Sequence, residues 1–321
     1  MLRCDVCNSK PAQIYQRHTG LKLCLTCFRS SIVERATQEL YKYVDRNERL
    51  LLAVSGGKDS LTMLDVLSSI HPVSKLVALT ILEDIVGYDR SSEIEEVRKL
   101  CREHGVEHIV VSMKKYLGYS VTEFMEAQRM LKVRSPISAC TFCGIARRRI
   151  VNSIARELGV DKVVTAHVLD DELQTYLINI LRGDIVRLLQ SHPLSTVHSS
   201  MIVKKVKPLR KVYEYETAIY AFFRGFRFQD IECPYISQRP TLRARLRPML
   251  QELESRYPGF CLRLLEHLDR ILEPLVREQN EKVRELPRCT LCGEPTAPGR
   301  KICKYCELVE LIRKALASST L

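Results

Sequence analysis

Residues 55–60 read Ser-Gly-Gly-Lys-Asp-Ser, directly behind the apolar run Leu50-Leu51-Leu52-Ala53-Val54. A buried strand that turns at once into a helix through two glycines leaves few folds open. Gly56 and Gly57 admit backbone conformations closed to residues with a Cβ. The N–H groups that follow can converge on phosphate oxygens at the start of a helix beginning near Asp59. Lys58 adds a point charge for phosphate, and Asp59 or Ser60 offers an oxygen for magnesium. The loop lacks the Gly-Lys-Ser/Thr ending of the ordinary nucleotide P-loop. Ser55, Gly56, Gly57, Lys58, Asp59 and Ser60 together read as a cradle for the pyrophosphate part of ATP. A solvated strand-to-helix turn is the alternative, and six residues in register behind an apolar strand weigh against it.

The rest of the centre supports a fold of that kind. Strand-like runs stand at 50–54, 76–82, 108–111 and 162–166, with helical patterns near 59–70, 91–104, 120–131 and 144–158 between them. Strands apolar on both faces, alternating with helices, predict an α/β fold: a parallel sheet with helices on each side. Ligands in such sheets sit beyond the carboxyl ends of the strands. Three segments fall there: Ser55 to Ser60, Glu83 with Asp84, and His167 to Asp171. From 170 to about 280 the pattern is mainly helical, with an irregular stretch near 191–212.

Cysteine is the second signal. Ten of 13 cysteines form C-x-x-C pairs, at Cys4/Cys7, Cys24/Cys27, Cys140/Cys143, Cys289/Cys292 and Cys303/Cys306. Met1-Leu2-Arg3-Cys4 shows no leader-like apolar run, and no apolar stretch is long enough to span a bilayer. A cytoplasmic, reducing location is expected, where paired cysteines serve metals more often than disulfides. Residues 1–31 are too small and too polar to fold on burial alone, so Cys4, Cys7, Cys24 and Cys27 are expected to hold zinc. Cys289, Cys292, Cys303 and Cys306 repeat the arrangement behind a Pro- and Gly-rich boundary at 287–299. With four protein ligands neither zinc keeps an open position, so both ribbons are structural. The division expected is 1–31, 32–284 and 285–321: ribbon, main domain, ribbon.

Charge narrows the partner. The formal net charge is +12, with basic runs at Arg147 to Arg149, at Lys204, Lys205, Lys207, Arg210 and Lys211, and at Arg239, Arg243, Arg245 and Arg247. A single basic run is usually a solvated face. Several of them beside a nucleotide cradle suit a polyanion larger than ATP, and nucleic acid is the natural candidate. The interleaved aromatics Tyr213, Tyr215, Tyr220, Phe222, Phe223, Phe226 and Phe228 stand at helical spacing and are assigned mostly to the core.

Cys140-Thr-Phe-Cys143-Gly is expected to precede the helix carrying Arg147 to Arg149, and Cys233 lies in Glu-Cys-Pro-Tyr about ninety residues later. On spacing alone the central pair is a third zinc half-site, a redox dithiol, two buried thiols or part of an active site. Asp170 and Asp171 can hold magnesium, manage a proton, or cap the helix that follows.

These marks, in this order, resemble the tRNA 2-thiouridine synthetase family of PP-loop ATP pyrophosphatases over nearly the whole chain. The matching stretches are both ribbons, Ser55 to Ser60, Cys140-x-x-Cys143-Gly, His167-x-x-Asp170-Asp171, Leu181-Arg182-Gly183-Asp184, Lys207-Pro208-Leu209 and Glu232-Cys233-Pro234-Tyr235. The resemblance implies a PP-loop fold flanked by zinc ribbons, with a [4Fe-4S] cluster on Cys140, Cys143 and Cys233. It implies ATP and magnesium, two zinc ions, and ATP-dependent 2-thiolation of a tRNA uridine in the T-loop or at the wobble position. AMP placed on the uracil oxygen makes it a good leaving group, and sulfur then attacks the activated carbon. Ser55 to Ser60, Glu83 and His167 would serve the nucleotide, and Lys58, Arg147, Asp170 and Asp171 the chemistry. Arg147 stands where relatives carry a basic catalytic residue, and a guanidinium suits charge stabilisation rather than proton transfer. A ubiquitin-like thiocarboxylate protein or inorganic sulfide is implied as sulfur donor, and a homodimer as the working form. Two departures are Ala166-His167-Val168 in place of Gly-His-Asn, and Leu82-Glu83-Asp84 in place of Asp-Glu-Gly. Lysidine-type amination, which needs no cluster cysteines, and a non-catalytic zinc-ribbon RNA-binding protein are the competing readings.

Overall fold

The computed structural model describes residues 2–196, 199–228, 232–236, 241–282 and 285–319. The elements run β1 (Ile14–Gln16), β2 (Leu21–Leu23), α1 (Leu25–Leu40), β3 (Leu50–Ala53), α2 (Lys58–Ile70), β4 (Leu76–Leu82), α3 (Ser91–His104), β5 (Glu107–Ser112) and α4 (Met113–Leu117). They continue α5 (Val121–Met130), α6 (Ala139–Glu157), β6 (Lys162–Thr165), α7 (Leu169–Leu181), α8 (Ile185–Ser191) and β7 (Lys204–Val206). Helices α9 (Glu214–Arg224), α10 (Leu242–Arg256), α11 (Phe260–Lys282) and α12 (Lys304–Ser319) complete the chain.

The central sheet has five strands in the order β5-β4-β3-β6-β7, every pair parallel. Strand order reverses between β3 and β6, so the crevice for a ligand opens where those two strands end. Period-two alternation feeds two cores. Leu50, Leu52, Ala78, Val164 and Val206 face a layer built from α1, α2, α3 and α9. Leu51, Val77, Leu79 and Val163 face the opposite layer of α5, α6 and α12. A third apolar cluster joins α7 to α10 and α11. The C-terminal ribbon thus leads into a helix that covers one face of the sheet, and α1 carries the N-terminal ribbon into the other.

The four expected strands are present. The fifth, β7, lies in the stretch read as irregular, because a three-residue edge strand with two lysines and only Val206 buried carries no apolar alternation. The central cysteine pair does not precede its helix. Ser138 caps α6, its side chain accepting from Thr141 N, so Cys140 and Cys143 stand inside the helix, in its first two turns.

Several basic residues expected on a surface are turned inward. Arg210 is 2 % exposed and bonds Asp269 through both guanidinium nitrogens at 2.6 and 2.9 Å. Lys207 bonds Glu172 and Lys211 bonds Glu266, each at 2.7 Å. A charged loop laid between helices finds carboxylates there, and the linear sequence does not say which way it faces. Arg239 lies outside the described residues. Among the aromatics Tyr213, Tyr220 and Phe226 are buried as expected, whereas Phe222 is 74 % exposed.

Candidate functional site

At the end of β3 the chain makes the expected turn. Gly56 has φ +85°, and a Cβ there would stand 2.8 Å from Glu93 Cβ on α3, so both backbone and space demand glycine. Ser55 N and Gly56 N both point at Ser60 Oγ, at 3.2 and 3.1 Å. That hydroxyl donates onward to Gly57 O at 2.9 Å. Gly57 caps α2 without a side-chain hydrogen bond, which leaves first-turn N–H groups for an anion. Free N–H groups at an uncapped helix start fit a polyphosphate. Ser60 is buried and spent within the loop, which leaves Asp59 as the loop side chain that could hold a metal.

Two further residues brace the cradle from behind. Arg90 donates to the Ser55 carbonyl and, at 2.6 Å, to Glu83 Oε2. Both Arg90 and Glu83 are buried, and Arg147 approaches the other Glu83 oxygen at 3.8 Å. Glu83 therefore acts on the loop through Arg90. Asp84 turns away, accepting from Ser112 Oγ and Lys114 N at the start of α4.

Across the switch point the two aspartates divide their tasks. Asp171 accepts from Val168 N at 3.4 Å as the cap of α7 and meets Arg243 at 3.2 Å. Asp170 accepts from Glu214 N at 2.8 Å, and burial pushes its carboxyl up to about 6. His167 is exposed, and its Nδ1 pairs with Thr165 Oγ1 at 2.9 Å. It lines none of the three cavities around the cradle.

Glu214 was not legible as a site residue. Its Oε1 accepts from Lys58 Nζ at 2.9 Å and from Arg247 at 2.5 Å. Thr217, one turn on, holds Asp59 Oδ1 through its hydroxyl. The local signal was an acidic residue in the first turn of a helix. Its partner Lys58 lies 156 positions earlier, and only the fold joins them.

A cleft of about 710 Å³ receives Ser55, Gly57, Lys58 and Asp59 from the loop side and Cys140, Cys143 and Cys233 from the other, with Arg147 and Arg247 between. A neighbouring cavity of about 610 Å³ is lined by Asp59, Cys140, Asp170, Asp171 and Arg243. The ribbons give a measure of how to read the three thiols. Zinc–sulfur bonds of about 2.3 Å at tetrahedral angles require sulfurs about 3.8 Å apart. Cys7 and Cys24 are 3.8 Å apart, Cys292 and Cys303 3.7 Å, and each ribbon gathers its four ligand atoms within 4.8 Å. Both ribbons fit zinc. Among the described residues no third set closes so tightly, Cys140, Cys143 and Cys233 included. Burial raises the Cys143 thiol to about 11, opposed by Arg147 and reinforced by the nearby Cys233 and Cys140. Burial raises the Cys233 thiol as well, and two neighbouring thiols that disfavour carrying charge alone fit a group that would take up that charge.

Known proteins resemble the chain over nearly its whole length. The PP-loop domain family matches residues 29–252, and the family described as 2-thiouridine synthetase TtuA, N-terminal LIM domain, matches residues 3–29. The chain is 32% identical to the tRNA-5-methyluridine(54) 2-sulfurtransferase of Pyrococcus horikoshii, over 95% of this chain and 93% of that one. It is 31% identical to a probable sulfurtransferase of Methanocaldococcus jannaschii, over 91% and 83%. Among solved structures it superposes on the U34-tRNA thiolase NcsA from Methanococcus maripaludis with its [4Fe-4S] cluster. The TM-score is 0.77 at 28% identity, covering 97% of this chain and 96% of that one. Among the described residues no helix is long and apolar enough to cross a membrane.

Proposed function

The chain belongs to the tRNA 2-thiouridine synthetase family of PP-loop proteins, and from that premise we propose that it replaces the C2 oxygen of a tRNA uridine with sulfur at the expense of ATP. One observation carries the reading: the Ser55–Ser60 loop and Cys140, Cys143 and Cys233 line a single cleft. Phosphoryl activation and sulfur delivery must act on the same carbon, so their residues must share one space.

In the first step the uracil O2 attacks the α-phosphorus of ATP, and the bond to the pyrophosphate oxygen breaks. Loop N–H groups and Lys58 would take the charge growing on the departing pyrophosphate. Asp59, steadied by Thr217, would present its carboxylate to magnesium. Asp170, raised toward neutrality, is suited to accept the uracil N3 proton as the oxygen is adenylated. Arg147 keeps its proton and would act as a fixed charge toward the adenylate. Cys140, Cys143 and Cys233 would hold a [4Fe-4S] cluster, which when bound supplies an iron without a protein ligand at which sulfur can be carried. Sulfur arriving at C2 displaces AMP, which leaves with the original oxygen, and N3 regains its proton.

We take the division to be ribbon, catalytic domain and ribbon over 1–31, 32–284 and 285–321, with α1 continuous across the first boundary. The sulfur donor is a ubiquitin-like thiocarboxylate protein or inorganic sulfide, the working form a homodimer, and the compartment the cytoplasm. Relatives act at uridine 54 and at U34. Anaerobic reaction of the iron-replete protein with tRNA, ATP and sulfide, followed by nucleoside mass spectrometry, tests the reading. A 2-thiouridine that needs ATP, mapped to one position by nuclease fragments, is the expected product. Its absence with full iron content would overturn the proposal.

A further inference from the structure

Two cations meet on one carboxylate oxygen at the mouth of the nucleotide cradle. Lys58, the cradle's own cation, and Arg247, from the distant helix α10, both bond Glu214 Oε1. Lys58 also meets Asp59 at 3.2 Å, so two cations and two carboxylates balance each other. A neutral set has no spare positive charge to offer a triphosphate. Arg247 nevertheless lines the same cleft as Ser55, Gly57 and Lys58.

We propose that Arg247 is a second polyphosphate-binding cation of the nucleotide site, and that Glu214 stands in for phosphate on Lys58 and Arg247 until nucleotide displaces it. The inference rests on the nucleotide half of the proposed function and not on its sulfur chemistry. Phosphate competes well for these partners, since it offers several oxygens and accepts a guanidinium in bidentate fashion, whereas Glu214 shares one oxygen between two donors.

The surroundings permit the exchange without moving the backbone. Glu214 N donates to Asp170 Oδ2 at 2.8 Å, which pins the start of α9. Its neighbours are held by the N-terminal ribbon: His18 stacks on Tyr213 at 4.8 Å and pairs with the Tyr215 hydroxyl at 3.2 Å. The Glu214 side chain itself borders two further cavities, of about 610 and 470 Å³, into which it can rotate. Arg247 and Arg245 are both exposed, but Arg247 bonds Glu214 and lines the cleft, whereas Arg245, two positions earlier on the helix, lines none of the three cavities around the cradle.

Calorimetric titration of the full-length, zinc-loaded protein with inorganic pyrophosphate and with ATP, at fixed low salt and without tRNA, tests the proposal. Arg247→Gln is expected to weaken both ligands about tenfold, the loss of one charged hydrogen-bonding partner. Arg247→Lys should recover part of that loss, which a misfolded variant would not do. Glu214→Gln is expected to tighten pyrophosphate several-fold by removing the competing charge. Arg245→Gln should leave both affinities unchanged. Wild-type pyrophosphate affinity in Arg247→Gln, whether or not tRNA binding falls, would overturn the assignment. Weaker pyrophosphate binding in Glu214→Gln would overturn the stand-in role. A wild-type protein that behaves as expected here yet makes no 2-thiouridine would sink the thiolation reading and leave this one in place.

Discussion

Phe142, inside the Cys140-Thr-Phe-Cys143 pair, stacks on Phe124 of α5 with ring centroids 4.4 Å apart and planes 8° from parallel. Its other neighbour is Tyr305, at 6.2 Å, which sits between Cys303 and Cys306 of the C-terminal ribbon. Two turns along α6, Arg149 donates to Cys292 Sγ at 3.2 Å and lies over the Tyr305 ring at 4.7 Å. A ring held within one cysteine pair therefore packs on a ring held within another. The packing of the ribbon is thereby joined to the helix start that carries Cys140 and Cys143.

Truncating that ring should separate the two metal sites. Phe142→Ala removes a fully buried aromatic and is expected to cost about 3–5 kcal/mol in urea unfolding. Iron per chain after anaerobic purification should fall well below wild type, while both ribbons, whose eight ligands are untouched, retain zinc. Wild-type iron in a protein destabilised by this amount would mean that the thiols are positioned without the ring.

The turn at Gly56 makes a second demand that can be measured. At φ +85°, with Glu93 Cβ 2.8 Å from any added methyl group, Gly56→Ala meets both strain and a clash. The left-handed conformation alone costs about 1–2 kcal/mol. The loop is expected to relieve the clash by shifting, which misaims the free N–H groups at the start of α2, so ATP affinity should fall by more than the stability loss accounts for. An alanine variant with native ATP affinity would show that these N–H groups do not meet the phosphates.

Glu83 separates bracing from direct ligation. Glu83→Ala leaves the Arg90 guanidinium, 5 % exposed, without its carboxylate, which is expected to cost about 3–5 kcal/mol. Glu83→Gln keeps a hydrogen-bond acceptor and should cost less. Because Arg90 also holds the Ser55 carbonyl, ATP affinity should decline in the same order as stability across the two variants. Loss of ATP binding at unchanged stability would instead make Glu83 a nucleotide ligand.

What the sequence discloses follows the range of the physics involved. Four strands, the cradle and both ribbons are local patterns: apolar period, a glycine pair behind a strand, cysteines two apart. Ser138 before Ala139-Cys140-Thr141 is also a local signal, a serine cap that places both central cysteines at the start of a helix. Strand β7 left little trace, since an edge strand of Lys204–Val206 reads as a charged loop. Glu214 is the clearest omission, because its importance is a meeting with Lys58 and Arg247 made by three separate elements. For the same reason Lys207, Arg210 and Lys211 look like an RNA-facing stripe in one dimension and pair with buried or half-buried carboxylates in three.

Asp170 ties the site to pH. Burial raises its carboxyl from 3.8 to about 6, with repulsion from Glu214 and Asp171 adding to the rise and the Glu214 N–H opposing it. A carboxyl raised in the folded state binds its proton more tightly there than in the unfolded chain. Its contribution to stability is full below about 3.8 and is lost as pH rises through about 6. At neutral pH the ionised form is thus held at a cost of up to about 3 kcal/mol. Asp170→Asn removes the charge and keeps an oxygen for the Glu214 N–H, so it should be more stable than wild type in urea unfolding at pH 8. The advantage should shrink by pH 5.5, where the wild-type carboxyl is largely protonated. Thiolation should be lost in this variant at every pH, and in the wild type should decline as pH falls through about 6. A variant with no stability gain at pH 8 would mean that the carboxyl titrates as an ordinary aspartate. One that gains stability and keeps full thiolation would remove Asp170 from the proton transfer and leave it as a brace for α9.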